Sequence, residues 1–201
     1  MPAKPLKIGW THHGDYFKVV MDTYSRIQEL KREHDQFQRT LKGKKVSDDD
    51  VAVLASKNDA IGELALIVIV FSAFTLEAYI NHYGINHFSR SYFSNYLDKL
   101  DLLAKWLVIP RIVTGKKLEP GSHAMQDLSW LVSLRNRLAH FKSKTIIVEE
   151  IKESDFLWHE DAERAVGTVK RAVYLLKRID PKAETDWLDQ ETRRIAPKKP
   201  C

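Results

Sequence analysis

"LALIVIVFSAFTLEAYIN", residues 64–81, decides the fold. Its apolar run from Leu64 to Leu76 is 13 residues long and is flanked by Glu63 and Glu77. A membrane span needs roughly 20 apolar residues, so the stretch reads as a buried helix. It is apolar almost all round, as the central helix of a bundle should be. Four other short helices would have difficulty covering such a surface, so a homodimer is expected, with no membrane contact.

On both sides the pattern stays helical. In residues 16–41, "YFKVVMDTYSRIQELKREHDQFQRTL", the residues Phe17, Val20, Tyr24, Ile27, Leu30 and Phe37 recur at roughly helical spacing with charges between them. Gly43 in "LKGKK" breaks that helix. Ser47, followed by Asp48, Asp49 and Asp50, supplies an N-cap and first-turn negative charge for a second helix. This one runs to about Tyr83, with a kink expected near Gly62. A third helix is expected over Ser91–Trp106, and Pro110 with "VTGKKLEPGS" marks a loop. The fourth covers Ser122–Phe141. The fifth covers Glu160–Ile179, with Ala165, Val169, Ala172, Val173, Leu176 and Ile179 on one side, and ends before Pro181. "KTIIVEEI", residues 144–151, is the single plausible strand. The expected architecture is all-α, an up-and-down bundle of about five helices. Residues 1–14 read as a flexible segment, 15–180 as the helical domain, and 181–201 as a polar tail, a frayed helix followed by disorder.

Composition narrows the function classes. With 201 residues, 44% hydrophobic and 29% charged, the chain has material for one sizeable core. Its single cysteine, Cys201, excludes an intrachain disulfide and a four-thiolate metal site. "MPAKPLKIGWTHHGDYF" lacks the apolar core and small-residue cleavage site of a secretion signal, so a cytoplasmic location is expected. There is no glycine-rich phosphate loop, and no His-x-x-x-His or Cys-x-x-Cys spacing. No metal and no cofactor is expected. His12 and His13, before Gly14 and Asp15, read as a solvated segment, and His82 and His87 as helix-end polar residues. His34, His123 and His159 carry no recognisable partner spacing.

The charge of +5 is concentrated. Between Arg111 and Lys144 there are seven basic residues (Arg111, Lys116, Lys117, Arg135, Arg137, Lys142, Lys144) against two acidic ones, Glu119 and Asp127. Such a region attracts polyanions; it also fits a solvated, lysine-rich face.

Within that region "SLRNRLAHFK", residues 133–142, places Arg135, Asn136 and His140 between Leu134, Leu138 and Phe141. Burying such groups unpaired is costly, so the stretch is either a surface seam or a site. Asn136 and His140 are four apart and share a helix face. Arg135, displaced by about 100°, can swing its long side chain onto that face. A structural role fits the same residues, with Arg135 and Asn136 bracing neighbouring helices and His140 favoured by the helix dipole in the last turn. Glu77 and Asn81, also four apart, form a polar pair on the most apolar helix. They read as support for the motif helix rather than as part of a cleft, since buried polar side chains normally find partners.

"LVSLRNRLAHFK" on a late helix, preceded by an apolar helix reading "FSAFTLEAYIN", resembles the HEPN superfamily. The mark of that family is an arginine, four to six residues, then a histidine, often with a polar residue after the arginine. Arg135, Asn136 and His140 match without a gap, and "LEAYIN", Leu76 to Asn81, is similar to the first core helix of many members. The resemblance covers about residues 50–180 and rests on these two stretches. It implies an all-α bundle that dimerises and a metal-independent endoribonuclease of toxin-antitoxin, phage-defence or RNA-processing type. Under that implication Arg135, Asn136 and His140 form a composite catalytic site at a dimer interface. Lys116, Lys117, Arg137, Lys142 and Lys144 bind RNA, and an antitoxin or other partner protein restrains it. Some members have a binding or scaffolding role alone, so a non-catalytic interaction module is the rival expectation.

Overall fold

Ser47 begins the longest helix. Its hydroxyl accepts from the Asp50 backbone N–H at 3.2 Å while the Asp50 carboxylate accepts from the Ser47 N–H at 2.9 Å, so each residue caps the other. Asp48, Asp49 and Asp50 add negative charge at the positive end of the helix dipole. From that cap the computed structural model, which describes residues 11–140 and 157–195, runs α2 unbroken over Asp48–His87, 40 residues. Around it stand α1 (His13–Leu41), α4 (Leu102–Thr114), α5 (His123–Ala139), α6 (His159–Ile179) and α7 (Asp186–Ile195). A single turn, α3 (Arg90–Tyr92), continues as a π turn, Phe93–Leu97. The described residues form an all-α bundle without strands; "KTIIVEEI" and Phe141 lie outside them.

One core runs through the bundle. Val68, Ile69, Leu76 and Ile80 of α2 meet Phe17, Val20 and Ile27 of α1, Trp106 and Ile109 of α4, and Leu128 and Leu131 of α5, all buried. The expected face of α6 also points inward, with Ala165, Val169, Ala172, Val173 and Leu176 buried. By length and composition α2 could cross a membrane: an 18-residue window has a mean hydropathy of 2.0, and 44% of it is buried in the bundle. The sequence expectation weighed the 13-residue run alone, whereas the helix extends well past both ends of it.

Several boundaries differ from expectation for identifiable reasons. The helix continues through Gly62 without a break. A Cβ there would stand 3.4 Å from the Leu157 carbonyl oxygen, so the glycine lets the chain entering α6 approach closely. The expected third helix is two pieces, because Asp101 starts a new helix by accepting from the Ala104 N–H at 2.8 Å. Pro110 lies inside α4 rather than in a loop, and the Thr114 hydroxyl donates to its carbonyl at 2.8 Å. The stop comes at Gly115, whose φ of +72° suits glycine in a left-handed C-cap.

The packed unit also extends beyond the expected limits. His13, assigned to the flexible segment, opens α1 and is buried. Ala183, Trp187 and Leu188, assigned to the tail, are buried too. The Tyr79 hydroxyl donates to the Glu184 carbonyl at 2.7 Å and Lys177 donates to the Ala183 carbonyl at 2.7 Å. These bonds tie the turn after α6 to the bundle and seat α7 against α1. Two apolar residues in an otherwise polar stretch suffice, because both reach the core.

Candidate functional site

Leu128, Leu131 and Leu134 turn one side of α5 into the core. A residue directly after Leu134 is rotated by about 100°, which brings Arg135 to the edge of that face and against α2. There its Nη2 lies 3.6 Å from the Glu77 carboxylate, the two side chains being 22% and 39% exposed. Asn81 follows Glu77 one turn later on the same face of α2. The Nε of Arg135 and the Oδ1 of Asn81 are both buried without a hydrogen-bond partner among the described residues. Each such orphan costs about 1–3 kcal/mol, so both are polar atoms that the bundle buries at a price.

The rest of the motif is open to solvent. Asn136 and Arg137 are exposed in the last turn of α5. His140 is not in the helix but at its C-cap, with φ −112° and ψ 27°, exposed, its N–H donating to the Asn136 carbonyl at 3.0 Å. The chain therefore holds Arg135 against α2 and leaves His140 free at the end of α5. The two side chains share no contact here. Lys116 donates to the Ile179 carbonyl at 3.2 Å and Lys117 pairs with Glu119 at 3.0 Å, so both make their contacts at the end of α6 and in the loop before α5. Lys142 and Lys144 lie outside the described residues.

Glu77 belongs to a larger feature. At 100° per residue, Leu66, Val70, Phe74, Glu77, Asn81 and Ile85 fall on one side of α2, on which Leu66, Phe74 and Ile85 are exposed and Val70, Glu77 and Asn81 half-buried. Leu66 is 43% exposed, Phe74 38% and Ile85 51%. The result is an apolar stripe interrupted only by the pair that receives Arg135. Comparison with protein-family models, curated proteins and solved structures returns no match. Beyond Asn81 the stripe opens into a groove of about 410 Å³ lined by Asn81, Ile85, Arg90, Phe93, Ser94 and Asp98.

Three polar centres escaped the sequence reading. Asp127, buried in α5, is held by Arg164 at 2.9 Å, Arg171 at 2.6 Å and His123 at 3.4 Å, and Arg164 also lies 4.2 Å from the centre of the Trp130 ring. The arginines come from α6, 37 residues away or more, a separation at which no local pattern is visible; the i,i+4 spacing of His123 and Asp127 was the one legible clue. The second centre joins the Tyr83 hydroxyl, donating to Asp180 at 2.7 Å, with His87, 4.0 Å from the same carboxylate. Burial and that hydrogen bond push the Tyr83 phenol up. Burial alone would raise the Asp180 carboxyl, but the Tyr83 bond, the Lys182 N–H and the His87 and Lys182 charges outweigh it and hold it below its ordinary value.

His13 is the third centre and a correction. His12 and Asp15 of the expected solvated segment are exposed, but the His13 ring sits in an aromatic box, 4.8 Å from Trp187, 5.4 Å from Tyr79 and 5.4 Å from His82. Burial, helped by His82 and opposed by Asp15, pushes its pKa down to about 4. Among the described residues no group of three or more His, Cys, Asp or Glu side chains is arranged to hold a metal ion.

Proposed function

We propose that the chain is a metal-independent endoribonuclease of HEPN type, acting in the cytoplasm on RNA as a symmetric homodimer and restrained by an antitoxin or other partner protein. The observation that carries this reading is the seat of Arg135 on the partly exposed apolar stripe of α2. A two-fold pairing of α2 stripes covers Leu66, Phe74 and Ile85 and brings two motif arginines toward one seam. It also brings the C-terminal ends of two α5 helices into reach, so that two copies of His140 serve one scissile bond.

The chemistry suits those groups. RNA carries its own nucleophile. One His140 accepts the proton of the 2′-hydroxyl as its oxygen attacks the phosphorus, and His140 of a second copy gives a proton to the departing 5′-oxygen. The products are a 2′,3′-cyclic phosphate and a 5′-hydroxyl. Arg135, of whose five donors the Glu77 contact occupies one, offsets charge on the phosphoryl oxygens, and Asn136 orients the phosphate or the imidazole. The Arg135–Glu77 pair favours a second reading as well, a non-catalytic interaction module in which the arginine is a structural brace.

Cleavage of a labelled RNA in EDTA separates the two. Under the nuclease reading His140→Ala lowers the rate about 10²- to 10⁴-fold with little change in affinity, and Arg135→Ala lowers both rate and affinity. Affinity falls with salt at a log–log slope of very roughly −0.7 per phosphate contact, and reversing charge at Lys116 and Lys117 flattens it. Equal rates in wild type and both variants, with a large loss of melting temperature in Arg135→Ala, would establish the module instead.

A further inference from the structure

Asp127 gathers more positive charge than it needs. Its side chain is 3% exposed, and Arg164 of α6 serves one oxygen with two donors, Nε at 3.0 Å and Nη2 at 2.9 Å from Oδ1. One arginine is enough to pair one buried carboxylate. A second, Arg171, nonetheless sets its Nη2 2.6 Å from Oδ2, and His123 approaches the same oxygen at 3.4 Å. Arg164 and Arg171 are seven residues apart, close to two turns of α6, so they leave the helix on one side and bring like charges to one point.

Three features of that point work against stability. The two guanidiniums repel each other, and among the described residues Asp127 is the one carboxylate that pairs with either. The Nε of Arg171 is buried without a hydrogen-bond partner among the described residues. Gly167 lies inside α6, where glycine is a poor helix former. A Cβ there would stand 2.7 Å from the Arg171 Nη1 and 3.2 Å from its Cζ, so the glycine gives the guanidinium room to lie against the helix. Such local costs gather where a fold arranges groups for something other than its own stability. The arrangement is also held in place from the side, since the Arg164 guanidinium lies 4.2 Å from the centre of the Trp130 ring. Both arginine side chains stay open to solvent, 46% and 37% exposed.

We propose that Arg164 and Arg171 form a receptor for the phosphoryl group of phosphate or a small phosphomonoester, with Asp127 as the positioning residue behind them. Two guanidiniums against one carboxylate leave one positive charge in surplus, which a bound anion offsets. The number of forks selects the anion. A carboxylate has two oxygens and is satisfied by one guanidinium, whereas a phosphoryl group presents three and accepts from both. Arginine suits this better than lysine, because its planar fork stays charged and is fixed in direction once one edge is held. The receptor lies where α5 meets α6, while Arg135 is set against α2, so it does not rest on the nuclease reading.

The test is isothermal titration calorimetry at constant ionic strength with inorganic phosphate, phenyl phosphate and acetate, using wild type, Arg164→Ala, Arg171→Ala and Gly167→Ala, with melts in phosphate and in chloride. Wild type is expected to bind both phosphoryl probes and to bind acetate about 10-fold more weakly, with one fork engaged in place of two. Each arginine variant is expected to bind phosphate about 10- to 150-fold more weakly. Gly167→Ala is expected to melt no lower than wild type, since a glycine leaves the helix interior and the end of a flexible side chain gives way. It should still bind phosphate more weakly, because the Arg171 guanidinium is displaced. Should Arg171→Ala fail to fold, Arg164→Lys, which keeps the charge and loses the fork, carries the comparison with the same expected loss. Tighter binding of phenyl phosphate than of phosphate assigns the receptor to an organic monoester, and equal or weaker binding assigns it to free phosphate. No heat from phosphate in wild type, wild-type affinity in both arginine variants, or acetate bound as tightly as phosphate overturns the receptor. A Gly167→Ala protein that melts lower and binds phosphate like wild type overturns it in favour of a structural brace.

Discussion

Acidification should unlatch the two ends of the bundle through His13. The imidazole is 3% exposed among Trp187, Tyr79 and His82, and its pKa lies at about 4 against an ordinary 6.5. A histidine kept neutral in the folded state stabilises it fully above pH 6.5. That contribution is lost as pH falls toward 4, because the unfolded chain takes up the proton first. At pH 5, linkage between 6.5 and 4 gives a loss of about 2 kcal/mol relative to pH 7.5. His13→Phe removes the titration and keeps an aromatic ring among the same neighbours, forfeiting only the 2.7 Å hydrogen bond between Thr11 and His13. Guanidinium titrations of both proteins at pH 7.5 and 5.0 are the assay. Wild type should lose about 2 kcal/mol more than the variant between the two pH values, a difference of about 0.4 M in midpoint at a slope of about 5 kcal/mol/M. Equal losses would refute the reasoning.

Three further outcomes are expected. Asp127→Asn strips the carboxylate from two arginines and should cost about 1–3 kcal/mol in chemical denaturation, because Arg164 and Arg171 lose a charged partner but stay partly in solvent. Gly84→Ala drives a methyl group into the buried Phe93 ring and should cost about 1–3 kcal/mol; near-ultraviolet circular dichroism should show the tyrosines beside Phe93 losing their fixed environment. Trp187→Ala opens a hole where α7 meets Phe17 and Tyr79 and should cost about 3–5 kcal/mol, with protease cutting after Lys182 as the local readout.

Local patterns carried most of the fold. The periodicity of α1 and α6, the Ser47 cap and the all-round apolar α2 were legible because each depends on residues within a turn or two of one another. Pro110 misled because a proline late in a helix sacrifices one hydrogen bond that packing of a buried α4 can offset. The segment from Ser91 to Leu97 was read as plain helix because a π turn has no compositional signature. His13, Trp187 and Leu188 were read as solvated because their partners come from the opposite end of the chain. At the candidate site the sequence brought out Arg135, Glu77 and Asn81 separately, and the contact between the first two appears only once α5 lies against α2. His140 looked helical because the motif spacing is helical; the helix stops one residue earlier.

The latch between α1 and α7 has a temporal side. Trp187 closes on His13 and Phe17, which leave the ribosome about 170 residues earlier. At synthesis rates of about 5–20 residues per second, the aromatic face of α1 waits roughly 10–35 s for its cover. During that interval the nascent bundle presents an uncapped apolar end, and binding by a general chaperone at that end should cease as soon as Trp187 emerges.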